Sequence, residues 1–229
     1  MDEMLATGEP CVYLDAANYV SSDLEGGFPT VSNKCKEMNV DIKRQPIPVV
    51  PAAHYFIGGV LADAKGQTTL ERLYAIGECS CTGVHGANRL ASTSLLEGLV
   101  WGNSAGHDIA NRLNKKSPSA LSRRLRECVP DWESPGGMIE AEDPALIAQD
   151  WTTLRNTMWN YAGVTRTGHR LQRAVDDLRN LYRHLHDFYK RTPLSKTLVD
   201  LFHGSQAAYI VAMAALRNKK SIGCHYRMD

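Results

Sequence analysis

The sequence predicts an α+β fold ending in a helical bundle, and three observations carry that prediction. Short apolar runs in the first half are separated by loops bearing Gly and Pro. Residues 70–113 read as strand, acidic residue, polar loop and helix in immediate succession. From Ala145 to about Asn218, apolar residues recur at helical spacing in three segments divided by breakers. A chain of 229 residues is long enough for one large domain or two small ones.

In order, residues 1–9 suit a helix end that stops near Gly8, and Cys11 to Leu14 suit a short strand. Residues 21–32 hold Gly26, Gly27 and Pro29 and read as a loop. Phe28 to Met38 suits a short helix with Val31, Cys35 and Met38 on one side. Gln45 to Tyr55 contains Pro46, Pro48 and Pro51, which remove backbone donors and favour extended chain. Val60 to Ala62, with a turn over Asp63 to Gln67, reads as a hairpin arm. Leu73 to Ile76 reads as a buried strand, Cys79 to Asn88 as a loop, and a helix begins at about Ser92. Along that helix run Leu95, Leu96, Leu99, Val100, Ile109 and Leu113.

Asn114 to Pro118 is a breaker, and residues 127–143 read as loop. Pro144 opens a helix over Ala145 to Tyr161, and Gly163 to Thr167 form a joint. A second helix runs from Gly168 or Arg170 to Lys190, and Pro193 opens a third that reaches about Asn218. The short joints predict an antiparallel bundle with Leu178, Leu185, Leu201 and Val211 buried.

Bulk properties exclude several function classes. A net charge of +1 supplies no basic field for nucleic acid. No apolar run reaches the roughly 18 residues of a membrane span, so no membrane partner is expected. The opening MDEMLATGEP is acidic and lacks the apolar core of a secretory signal. Six cysteines in a chain of this length fit reduced thiols and a cytoplasmic setting.

The chemistry-bearing residues gather around residues 70–113. A helix N-terminus presents unpaired N–H groups and positive partial charge, which suits an anionic ligand. Glu78, at the strand end, can accept hydroxyls of a sugar. Arg89 lies in the loop before the helix, where a guanidinium can hold a carboxylate with two N–H bonds. Ser94 and Leu95 would contribute backbone N–H groups of the first turn. The ordinary readings are a strand-end acid, a solvated arginine and plain helix residues. His54, beside prolines, is on generic grounds a structural histidine. Cys79 and Cys81 lack a second Cys/His pair, so no metal is expected. His184 and His186 are two apart on a helix and share no face.

LYAIGE at 73–78 resembles the second flavin-adenine fingerprint of flavoproteins with two dinucleotide-binding halves. HGANRLASTSLLEG at 85–98 resembles the flavin and dicarboxylate motif of the fumarate reductase, succinate dehydrogenase and L-aspartate oxidase superfamily. HYFIGGV at 54–60 resembles its HYxxGG motif, and CTGVHGANRLAS at 81–92 is most similar to the L-aspartate oxidase branch. Thr93 stands where that pattern has asparagine.

The resemblance implies FAD as cofactor. It places 1–53 as the tail of a capping domain, 54–116 as the C-terminal part of a flavin-binding α/β domain, and 117–229 as linker and three-helix bundle. It implies that His54 and Arg89 bind the substrate's carboxylates, and that Glu78, Ser94 and Leu95 contact the flavin. The implied reaction is oxidation of L-aspartate, or a related dicarboxylate, to iminoaspartate, with oxygen or fumarate as electron acceptor. Quinolinate synthase then takes the product toward NAD. The family's proton-accepting cap arginine matches no residue here, so no catalytic residue is assigned.

His85 divides between substrate contact and loop packing, Asn88 is expected to shape the loop, and His225 to be structural. The family's terminal segment, resembled by Gly223 to Tyr226, returns toward the main domain. No GxGxxG follows an N-terminal strand, so the expectation is the C-terminal portion of a longer family protein. The alternatives are a succinate dehydrogenase or fumarate reductase type flavoprotein, and a non-catalytic fragment.

Overall fold

A computed structural model describes residues 7–20, 23–115, 128–130 and 143–229. The chain divides into two units, Met1–His54 and Tyr55–Asp229.

In the first unit, β1 (Val12–Leu14) and β2 (Ile47–Val49) form an antiparallel ribbon with Tyr13 opposite Pro48. The prolines keep β2 extended, and a two-stranded ribbon tolerates a residue without a donor. Residues 21–32 are not all loop. Asp23 caps a short helix α1 (Leu24–Gly27), its side chain accepting from the Glu25 N–H. Leu24 is buried with Cys35 and Ile42, which draws this turn onto the core. Helix α2 (Pro29–Glu37) starts with proline at its first position. Its inner face is Ser32 and Cys35, whereas Val31 and Met38 are exposed, so the expected stripe is rotated. Residues 1–6, with most of the expected first helix end, lie outside the described residues.

The second unit opens with β3 (Val60–Leu61), which pairs in parallel with β4 (Ser80–Cys81). The turn over Asp63 to Gln67 forms as expected, closed by the Asp63 N–H donating to the Gln67 carbonyl. The strand expected at Leu73 to Ile76 does not form a ladder. Tyr74 makes one isolated antiparallel bridge with Gln67, and a 3-10 turn over Gly77–Cys79 leads into β4 instead. Of that apolar run only Ala75 is buried, and Leu73 is about half exposed. The run lacks the two-sided burial that a central strand needs.

Helix α3 (Ser94–Lys115) begins two residues later than expected. Ser92 has φ 64°, left-handed backbone that cannot open a right-handed helix. The helix packs polar residues inward. The Trp101 indole donates to the Asp63 carbonyl at 3.0 Å and the Ser104 hydroxyl to the Ala64 carbonyl at 3.0 Å. Asp108 accepts from the Tyr74 hydroxyl and the Gln67 amide, both at 2.7 Å, and pairs with Lys65 and Arg112. The Tyr74 hydrogen bond foremost, then Lys65 and the Arg112 charge, hold the Asp108 carboxyl below its ordinary value against the cost of desolvation. Leu95, Leu96, Leu99, Val100 and Leu113 are all exposed. Residues 116–127 and 131–142 lie outside the described residues, so most of the expected breaker and loop cannot be placed.

Three capped helices complete the unit. Asp143 caps α4 (Pro144–Ala162), Thr167 caps α5 (Gly168–Arg191) and Ser195 caps α6 (Lys196–Arg217). Pro193 therefore precedes the third helix rather than opening it. Leu178, Leu185 and Leu201 are buried as expected. Val211 is only partly buried, because Ala208, Ala212 and Ala215 take the inner register. Those alanines let α6 approach its neighbours closely. Phe202 stacks on Tyr189 at 4.5 Å between centroids. After α6 the chain returns as a strap in which β6 (Tyr226–Arg227) pairs in parallel with β5 (Thr165–Arg166).

Candidate functional site

The second unit gathers its polar chemistry at the start of α3. Glu97, one turn into the helix, is only 4% exposed. Its Oε2 accepts from the Tyr55 hydroxyl at 2.9 Å and bonds the His85 Nε2 at 2.8 Å, while Oε1 accepts from Thr82 at 2.5 Å. Burial pushes the carboxyl pKa up, but the bonds from Thr82, Tyr55 and His85 together outweigh it and leave the group below its ordinary value. Glu97 is therefore an ionised carboxylate, an acceptor only, and His85 presents a protonated Nε2 to it. Burial, then the Glu97 bond, push the Tyr55 phenol up, so it remains a donor.

Arg89 rests on this network. Its guanidinium carbon lies 4.7 Å from the Tyr55 ring centroid, and His85 meets the same ring edge-on at 5.5 Å. One terminal nitrogen donates to the Leu90 carbonyl at 3.2 Å. Nε is buried and has no hydrogen-bond partner among the described residues. A buried, unpaired N–H of a cation is costly unless an acceptor reaches it.

Glu78 is exposed, on the 3-10 turn, and its Oε1 accepts from the Phe56 N–H at 3.0 Å. Adjacent residues of one segment, Tyr55 and Phe56, thus tie Arg89 and Glu78 to the same stretch of chain. Ser94 is the first residue of α3 and is half-buried; Leu95 is 84% exposed, so the helix start is open. His54 is the last residue of the first unit and is exposed. The other four expected site residues belong to the second unit.

His85 packs the loop, its Nε2 bonded to Glu97 and its side chain 11% exposed. Asn88 shapes the loop, its Oδ1 accepting from the Cys224 thiol at 3.2 Å. The strap reaches the loop at a second point, where the Cys224 N–H donates to the Ala87 carbonyl at 3.2 Å. His225 is structural, bonded to Arg166 through Nδ1 and to the Asn218 carbonyl through Nε2, each at 2.9 Å. No group of metal-ligating side chains occurs among the described residues.

Between this loop and α3 lies an open cleft of about 350 Å³. Val84, Leu90, Leu96, Val100 and Trp101 supply its apolar wall, and His85, Asn88, Thr93 and Glu97 its polar one. Arg89 is not among the residues that line it.

The residues present fit the ring and sugar end of FAD. Gly58, at φ 144°, has only the Phe56 ring within 4 Å of a hypothetical Cβ, which leaves room for a flat ring. Gly59 has a different reason: a Cβ there would sit 2.3 Å from the Cys79 carbonyl oxygen, so it permits the β3–β4 approach. Glu97 and Tyr55 are the members of this network that sequence reasoning missed. The available signal was an acid inside the otherwise apolar SLLEG run.

Residues 1–95 match the FAD binding domain family, and residues 151–229 match the fumarate reductase flavoprotein C-term family. The chain is 40% identical over 227 residues to the L-aspartate oxidase of Pseudomonas aeruginosa, a match covering 99% of this chain and 41% of that protein. It is 42% identical over 224 residues to the L-aspartate oxidase of Halobacterium salinarum, covering 98% and 40%. Among solved structures, an E. coli quinol fumarate reductase superposes with a TM-score of 0.76 at 29% identity, over 99% of this chain and 41% of that one. A Mycobacterium smegmatis Sdh1 structure gives 0.65 at 27% identity, over 95% and 37%. The chain spans about two-fifths of the length of the curated relatives it matches.

Proposed function

We propose that the chain, which matches the FAD binding domain family over residues 1–95 and the fumarate reductase flavoprotein C-term family over residues 151–229, carries the substrate-clamping part of an FAD-dependent L-aspartate oxidase. The reaction is oxidation of L-aspartate to iminoaspartate. The observation that carries the reading is Arg89, held on the Tyr55 face with a buried Nε–H that has no acceptor among the described residues. A substrate carboxylate supplies that acceptor and neutralises the guanidinium in a charge-assisted pair.

Bound FAD would supply the acceptor for a hydride from the substrate's α-carbon. Around it, Glu78 accepts from a sugar hydroxyl through the oxygen that Phe56 does not occupy. The first-turn N–H groups of Ser94 and Leu95, at the positive end of α3, would favour negative charge on the bound flavin. His54 donates to a substrate carboxylate. Oxygen or fumarate takes the electrons onward, and quinolinate synthase consumes the iminoaspartate. The setting is the cytoplasm, in keeping with six unpaired cysteines. No described helix is long and apolar enough to cross a membrane.

The test is complementation. The chain is co-expressed with the part of the Pseudomonas aeruginosa L-aspartate oxidase that it does not match, and the purified complex is loaded with FAD. Anaerobic bleaching of the flavin by L-aspartate but not by succinate is the expected result. A flavin-loaded complex bleached by succinate alone would transfer the reading to the succinate dehydrogenase type. One that neither compound bleaches would overturn it.

A further inference from the structure

We propose that Glu97 is a positioning residue for Arg89, acting through the ring of Tyr55. The inference rests on the reading of Arg89 as a carboxylate clamp and names what aims it. Two donors from different segments, the Tyr55 hydroxyl and the His85 Nε2, converge on a single oxygen, Oε2 of Glu97. The same two rings meet edge-on at 5.5 Å and 88°. The Tyr55 ring is thus held at its hydroxyl end by the carboxylate and along its side by His85. Its backbone is held next door, where the Phe56 N–H donates to Glu78. A ring fixed at these points cannot swing, and the guanidinium lies on its face at 4.7 Å.

Apart from the ring, Arg89 is held among the described residues by a single bond to the Leu90 carbonyl at 3.2 Å. Without the ring the long side chain would regain rotamer freedom that ligand binding must then remove. A carboxylate this deeply buried is held there by its three donors, and replacing it with an apolar side chain would leave all three without an acceptor. The lowered pKa of Glu97 keeps it ionised, so it accepts from all three donors throughout the neutral range.

The test follows the Nε–Hε NMR resonance of Arg89 in the full 229-residue chain, assigned by its loss in Arg89→Lys. A proton held beside an aromatic face carries a ring-current shift, which reports the stacking directly. In Glu97→Gln the resonance should move toward the position of solvated arginines, while amide signals of the helical bundle stay in place. Tyr55→Phe keeps the ring but removes its tether and should shift the resonance in the same direction. The double variant should show little further change, because both substitutions break one chain of contacts. Succinate, the probe ligand, should bind about tenfold more weakly to Glu97→Gln, the loss expected when one charge-assisted bond is misaimed.

An Arg89 resonance unmoved in both single variants overturns the proposal, as do shifts that simply add in the double variant. Failure of the underlying reading looks different. There, succinate leaves the wild-type resonance untouched although Glu97→Gln still displaces it.

Discussion

The strap after α6 offers the sharpest perturbation, Gly223→Ala. Gly223 has φ 57°, and a Cβ built there would lie 2.0 Å from the Ala87 carbonyl oxygen. Side-chain carbons essentially never come within 3.0 Å, so strap or loop must move by at least 3.0 − 2.0 = 1.0 Å. Left-handed backbone costs a non-glycine residue about 1–2 kcal/mol. Displacement also breaks the bond from the Cys224 N–H to the Ala87 carbonyl, worth about 1 kcal/mol. The sum is a loss of about 2–3 kcal/mol in the stability of the strap–loop contact. Ala87 is two residues before Arg89, and a misplacement of about 1 Å at a binding group can cost on the order of 10²-fold in turnover. Amide exchange of Cys224 reads the contact, and L-aspartate turnover of the complemented enzyme reads its consequence. Wild-type protection of that amide, with unchanged turnover, would refute the reasoning.

Further outcomes follow from single features. Leu201→Ala, at a fully buried bundle position, should lower stability by about 2–5 kcal/mol in urea denaturation followed by helical circular dichroism. Arg89→Leu in the complemented enzyme should cost about 2–5 kcal/mol in kcat/KM for L-aspartate while FAD content stays near normal. For pH, Glu97 has a lowered folded-state pKa, so its contribution is complete above the unfolded carboxyl value of about 4.3 and is lost as pH falls through the lowered one. The acid-side drop in urea midpoint should therefore be smaller in Glu97→Gln than in wild type. The chain mixed with FAD alone should show no bound-flavin spectrum at one equivalent, because its 229 residues include no glycine turn of GxGxxG form for the pyrophosphate.

The helical bundle was legible because its signals are local and mutually consistent. Asp143, Thr167 and Ser195 are standard cap residues, and Leu171, Leu178 and Leu185 recur at the interval that lines one face. Val211 was misplaced because alanine carries too little hydrophobic weight to reveal that Ala208 and Ala212 define the inner register. The Leu73 to Ile76 strand failed for a non-local reason. A buried strand requires neighbours on both faces, which an apolar run cannot announce; here Tyr74 points its hydroxyl to Asp108 instead. Arg89 and Glu78 were legible as a pair flanking a loop, but their shared dependence on Tyr55 and Phe56 was not. That dependence joins residues 22 or more positions apart.

Helix α3 shows why a site can defeat a periodicity argument. Its strongest hydrophobic residues, Leu95, Leu96, Leu99 and Leu113, each stay at least 60% exposed, while Glu97, Ser104 and Asp108 face its packing partners. Ordinary burial would reverse this arrangement, since each fully buried leucine is worth about 1.5–3 kcal/mol. What holds the inward face is a set of long-range hydrogen bonds to residues 55, 63, 64, 67, 74, 82 and 85. Those bonds join helix, turn and the loop before the helix into one framework, so the polar side of α3 sets their relative placement. Gly98 and Gly102 lie on the side of the helix that meets the Ile76–Gly77 turn, where a Cβ would make an ordinary contact at 3.9 Å. The spacing that makes the helix amphipathic therefore records two demands at once. The polar stripe builds the site within this unit, and the leucine stripe is left as an apolar face far larger than scattered surface leucines would make.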